Sequence, residues 1–139
     1  LGPALKARAR EMGLQDNVTF LGRVKEEELI RWYNRVEVFC LPSLFEGFGI
    51  VCLEAMACGT PLLASRAPGI VDVIPNEHGD LLFEPGNARE IAEKTISLIS
   101  DADMRKSIGE SLRKTAETEF DWKNISSRFV EVYRKALDA

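Results

Sequence analysis

Two carboxylates bracket a glycine-rich turn in Leu41-Pro42-Ser43-Leu44-Phe45-Glu46-Gly47-Phe48-Gly49-Ile50-Val51-Cys52-Leu53-Glu54. From Ile50 to Cys58 the only polar side chain is Glu54. A helix apolar all round is a buried helix. A lone carboxylate on it is costly unless something pairs with it. Glu54 therefore needs a protein partner or a ligand. Roughly a turn and a half into the helix, it can point back to the helix mouth and suits a bidentate hydrogen bond to a vicinal diol such as ribose. Gly47 and Gly49 permit positive φ and close backbone approach. The amides of Gly49, Ile50 and Val51 would be free donors at the helix N-terminus, a setting that favours an anion such as phosphate. Glu46, on the turn, would face the other end of the same ligand. Each feature has a plainer reading: a tight strand-to-helix turn, an internal salt bridge or loop contact for Glu54, a surface loop carboxylate for Glu46.

The elements that must position these residues follow from pattern. Gly2-Pro3 opens a helix with Ala4, Leu5, Ala7, Ala9 and Met12 on its apolar side, ended by Gly13. The chain start at Leu1 reads as a helix already under way, hence as a piece cut from something longer. Val18–Leu21 reads as a short strand closed by Gly22. Lys25–Asn34 reads as a helix carrying Leu29, Ile30 and Tyr33 on one face. Val36–Leu41 reads as a strand stopped by Pro42. Pro61–Ser65 is a continuous apolar strand, the mark of a parallel sheet covered on both faces.

Ile70–Ile74 is a single helical turn, and Asp80–Phe83 a last short strand. Asn87 caps a helix to Ser100, Asp101 or Asp103 starts another to about Glu119, and Asp121 caps the last. Ile125, Phe129, Val132, Tyr133 and Leu137 form that helix's apolar stripe. Alternating strands and helices predict an α/β fold: a Rossmann-like parallel sheet flanked by helices, with a helical C-terminus. Four strands are few for that class, so one or more are expected before Leu1. The 139 residues favour a single domain, 1–139.

Composition narrows the function. A net charge of −4 gives no sign of non-specific nucleic-acid binding. No apolar run approaches the ~20 residues of a membrane span. Cys40, Cys52 and Cys58 match no zinc or CxxC spacing and read as reduced core cysteines of a cytosolic protein. His78 is the only histidine, in a polar turn, which argues against a histidine-centred triad or a His-based zinc site.

Glu46 and Glu54, with seven residues between them around Gly-Phe-Gly, resemble the paired-glutamate motif of retaining GT-B glycosyltransferases. That group includes the glycosyl transferases group 1, glycogen-synthase and mannosyltransferase-like enzymes. Phe20-Leu21-Gly22-Arg23-Val24, Leu41-Pro42-Ser43, Ala57-Cys58-Gly59-Thr60-Pro61, His78-Gly79 with Leu81–Gly86, and Asp121-Trp122 to Tyr133 fall in the family's order. The resemblance covers essentially the whole chain. It implies the C-terminal, donor-binding half of an enzyme that moves a sugar from a nucleotide-diphospho-sugar to an acceptor hydroxyl.

By that resemblance Glu46 is the catalytic carboxylate and holds donor-sugar hydroxyls, with Gly47, Phe48 and Gly49 lining the sugar. Gly49, Ile50 and Val51 hold the diphosphate, Glu54 the ribose, and Gly22, Arg23 and Val24 flank the base. It implies no metal and no cofactor beyond the donor, a UDP-, GDP- or ADP-sugar. It implies as partner an N-terminal acceptor half, through which peripheral membrane association is an option, and a cytoplasmic location, with the inner membrane face as an alternative. The family's basic pair at the diphosphate would lie before Leu1, and its Gly-Gly…Glu is replaced by Pro68-Gly69 and Asp72. The isolated chain is therefore expected to bind donor weakly and turn nothing over.

Three alternatives remain. A non-catalytic nucleotide-binding or interaction module would share the site. A Rossmann NADP oxidoreductase could use Arg66 on a 2′-phosphate, but the third glycine of that fingerprint is missing and Leu53 stands in its region. A GT-B epimerase would use a different residue set.

Overall fold

The computed structural model describes residues 2–137; the start at Leu1 and the last two residues of the expected 1–139 domain lie outside the described residues. Its centre is a parallel sheet of three strands in the order β1 (Phe39–Leu41), β2 (Leu62–Ser65), β3 (Leu82–Phe83). Phe39, Cys40 and Leu41 pair with Leu62, Leu63 and Ala64, and Ala64 and Ser65 with Leu82 and Phe83. Every residue of β2 is buried, as its unbroken apolar run requires between two covered faces.

The described residues form six α-helices: α1 (Gly2–Glu11), α2 (Glu26–Tyr33), α3 (Ile50–Ala57), α4 (Ala88–Ser100), α5 (Ala102–Glu119) and α6 (Trp122–Leu137); α3 and α4 pack on β2. The core joins Tyr33 of α2, Cys52, Ala55 and Met56 of α3, the β2 side chains, Ile70, Val73, Ile74, Phe83, Leu98 and Leu112. The capping residues behave as their chemistry dictates. Asn87 Oδ1 accepts from the Glu90 amide at 3.1 Å, Asp101 Oδ1 from Met104 at 2.8 Å, and Asp121 Oδ1 from Lys123 at 2.8 Å.

The structure corrects several expectations. Val18–Leu21 forms no strand: it is irregular, with Val18 and Leu21 exposed and no described strand paired with it. A strand exists only through the ladder a neighbour supplies. The sheet therefore has three described strands rather than four. β1 starts at Phe39 rather than Val36, because the Arg35 and Val36 amides both donate to the Trp32 carbonyl and stay tied to the end of α2. Asp80 and Leu81 belong to a 3₁₀ helix, Asn76–Leu81, that leaves only Leu82–Phe83 for the last strand. The α3 helix is buried on one side only, since Ile50 is 63% exposed at its head. Cys40 is an exposed thiol rather than a core one, whereas Cys52 is fully buried; all three cysteines are free. The stripe of α6 meets no core, and no residue of that helix is buried.

The tightest junction lies at the tail of α3. The chain leaves the helix through Gly59 (φ +72), and a Cβ on Gly109 of α5 would stand 2.2 Å from the Gly59 carbonyl oxygen. Glycine at 109 thus lets α5 lie directly on the turn that feeds β2.

Candidate functional site

The segment from Pro42 to Gly49 leaves the carboxyl end of β1 and enters α3, the position where open α/β sheets bind ligands. Ser43 Oγ donates to Glu46 Oε1 at 2.6 Å, so the half-buried Glu46 carboxylate is fixed from its own loop. Gly47 and Phe48 are exposed, and Phe48 stands edge-on to Phe120, ring centroids 6.2 Å apart. Gly49 is the N-cap of α3 at φ +77, in the left-handed region that favours glycine. Gly47 is not at positive φ, and a Cβ there would meet nothing within 4 Å, so the expected positive φ applies to Gly49 alone. The amides of Gly49, Ile50 and Val51 donate none of the described hydrogen bonds, while Cys52 N–H donates back to Gly49 O at 2.8 Å. Those three donors remain at the helix head, where the macrodipole favours negative charge.

A second loop braces the first. Ala67–Ile70 follows β2, closed by Ile70 N–H donating to Ala67 O at 3.1 Å. Gly69, buried at φ +84, lies so close that a Cβ would stand 2.5 Å from Glu46 O and 2.9 Å from Gly47 C. Pro68-Gly69 therefore shapes the Glu46 turn through backbone contact. Beneath the turn, burial first, then the negative charge of Glu46, pushes the Cys52 thiol up to about 12. Cys52 is thus a neutral packing group at ordinary pH.

Glu54 is half-buried on α3, and its partner is not a base. Tyr33 Oη donates to Glu54 Oε2 at 3.0 Å, and Glu54 enters none of the described ion pairs. Oε1 accepts no described hydrogen bond, and no fully buried side-chain oxygen is left without a partner, so Oε1 reaches solvent. Burial, then Glu54, holds the Tyr33 phenol well above its usual range. The sequence places Tyr33 on the apolar face of its helix and gives it no role at the site. The available signal was a tyrosine in an apolar stripe, since a buried phenol needs an acceptor.

Gly22 (φ +69) and Arg23 are exposed and Val24 half-buried in the loop between α1 and α2. Arg66, the residue a dinucleotide reading would need, is 3.4 Å from Glu84 Oε1 and donates to Gly79 O. A concavity of about 740 Å³ lies elsewhere, between Val71–Glu77 and the Ser111–Phe120 side of α5; neither Glu46 nor Glu54 lines it. Among the described residues no group of three or more His, Cys, Asp or Glu is arranged to hold a metal ion. No described helix is long and apolar enough to cross a membrane.

Comparison with known proteins gives consistent results. The sequence profile described as glycosyl transferases group 1 matches residues 3–115. The MMP alpha-(1->4)-mannosyltransferase of Mycolicibacterium hassiacum is 34% identical over 137 residues, 98% of this chain and 33% of that protein. Among solved structures, sucrose-phosphate synthase from Thermosynechococcus elongatus superposes with a TM-score of 0.85 at 31% identity, over 96% of this chain and 34% of that one. Anabaena Alr3699/HepE in complex with UDP and glucose gives a TM-score of 0.85 at 25% identity, over 96% and 36%. The chain spans about a third of the length of these relatives.

Proposed function

Because the chain belongs to the glycosyl transferases group 1 family, we propose that it is the donor-binding portion of a retaining glycosyltransferase that uses a nucleotide-diphospho-sugar. The observation that carries this reading is the head of α3: three undonated amides stand in sequence between a Glu46 held by Ser43 and a Glu54 that makes no described ion pair and leaves Oε1 without a described partner. With both carboxylates turned to that mouth, an anion on the Gly49, Ile50 and Val51 amides would have one on either side, each able to accept from hydroxyls. A diphosphate flanked by a hexose and a ribose meets that pattern. The UDP–glucose complexes of Alr3699/HepE support the ligand class.

In this reading Glu46 accepts from ring hydroxyls of the donor sugar. Gly47 leaves open space for the ring, and Phe48 and Gly49 line it. Breaking the anomeric C–O bond sends its electron pair to the diphosphate, and the α3 amides stabilise the charge that develops there. The acceptor hydroxyl attacks from the face the leaving group departs, which retains configuration, and its proton passes to the diphosphate oxygen. Glu54 holds the ribose, and Gly22, Arg23 and Val24 flank the base. The acceptor half lies in the rest of the longer enzyme, so this chain alone binds donor weakly and transfers nothing. The test is a binding panel of UDP-, GDP- and ADP-sugars on the longer enzyme with a transfer assay. One donor binding, with transfer abolished in Glu46→Gln, is expected. A Glu46→Gln enzyme that transfers normally, or transfer by the isolated chain, refutes it.

A further inference from the structure

We propose that Tyr33 is a positioning residue for Glu54, holding its carboxylate in the pose that receives the donor ribose; this rests on the ribose role proposed above. The two residues are 21 positions apart and on different helices, yet Tyr33 Oη donates to Glu54 Oε2 at 3.0 Å. Tyr33 is itself clamped. It is 5% exposed, and its ring meets the Phe39 edge with centroids 5.5 Å apart at 72°. Its carbonyl accepts from the buried Thr60 Oγ1 at 2.6 Å. Thr60 follows the α3 tail, so the residue that fixes the Tyr33 backbone and the residue that receives its hydroxyl belong to one helix–turn unit.

The physical consequence concerns order. A free glutamate has three side-chain torsions to freeze when it meets a ligand, and freezing them opposes binding. Here the phenol has already taken Oε2, while Oε1 stays open to solvent. A carboxylate oxygen has two lone-pair sites, so Oε2 still has one to offer. The carboxylate is thus presented in one orientation before any ligand arrives. The same bond would exist if it merely satisfied a buried phenol, so the test must read ribose recognition and not only stability.

The experiment measures dissociation constants of UDP, GDP and ADP, each against its 2′,3′-dideoxy form, on the longer enzyme carrying this chain. The ratio within the tightest pair reports hydroxyl recognition. Tyr33→Phe keeps the ring and its contact with Phe39 and removes only the donor. Glu54→Ala should bring the ratio to near one. Tyr33→Phe should lower it about five- to tenfold, the size of one ordinary net hydrogen bond, with the dideoxy affinity unchanged. The double variant should be no worse than Glu54→Ala. If Tyr33→Phe only lowers the melting temperature while Glu54→Ala abolishes the ratio, Tyr33 is structural and the ribose reading stands. If Glu54→Ala leaves the ratio intact, the ribose reading itself fails.

Discussion

Gly69→Ala is the most informative single change to the Glu46 turn. The residue sits at φ +84, and its new Cβ would stand 2.5 Å from Glu46 O, 2.9 Å from Gly47 C and 3.0 Å from Gly47 O. The left-handed backbone alone costs a non-glycine residue about 1–2 kcal/mol. The clash is with backbone, which cannot rotate away, and overpacking of that kind adds about 1–3 kcal/mol. A loss of about 2–5 kcal/mol corresponds to a melting temperature lower by roughly 6–15 °C. Restoring an ordinary 3.4 Å contact moves the Glu46–Gly47 backbone by about 0.9 Å, and a displacement of that size at a reacting centre costs on the order of 100-fold in rate. Thermal melting and kcat/KM for transfer, the latter well below the variant's melting point, read the two effects separately. Gly47→Ala is the comparison: with no positive φ and open space around it, it should change stability by less than about 0.5 kcal/mol. A Gly69→Ala enzyme with the parent's melting temperature and transfer rate refutes the brace.

Ser43→Ala removes the 2.6 Å donor to Glu46 Oε1 and should lower kcat by about tenfold, with little change in KM; an unchanged kcat would show that the turn holds Glu46 without it. Gly109→Ala places a Cβ 2.2 Å from Gly59 O and should cost about 2–3 kcal/mol in chemical denaturation, without altering which nucleotide binds. Alkali should destabilise the fold. The Cys52 thiol rises from 9.0 to about 12, so above pH 9 the unfolded chain sheds that proton and the folded chain keeps it. Stability then falls as pH climbs from 9 towards 12, and the raised Tyr33 phenol adds to the fall above pH 10. Urea midpoints across that range check this, and Cys52→Ala should flatten the lower part of the slope.

What the sequence revealed was local. Asn87, Asp101 and Asp121 act on amides two or three residues away, so their caps can be read from the letters. The strand at Leu62–Ser65 shows itself because burial on both faces demands an unbroken apolar run. Val18–Leu21 looks like a strand for the same compositional reasons, yet pairing is a relation between segments that composition does not contain. At the site, Glu46, the Gly49 turn and the α3 amides are contiguous and were legible. The Tyr33–Glu54 bond and the Gly69–Glu46 approach join residues more than twenty positions apart. Only the packed chain displays them.

The outermost helix carries a consequence for how the molecule comes apart. α6 buries none of its residues; its ties to α5 include an ion pair from Arg128 to Glu119 and Asn124 Nδ2 donating to Thr118 O at 2.8 Å, while the Phe129–Tyr133 stack lies within the helix. Sixteen residues of helix are only marginally stable on their own in water. Its amides should therefore swap hydrogen for deuterium long before those of α3 or β2. Heating the isolated chain should unravel this helix turn by turn while the sheet still stands, so the melting curve will begin with a shallow, non-cooperative slope.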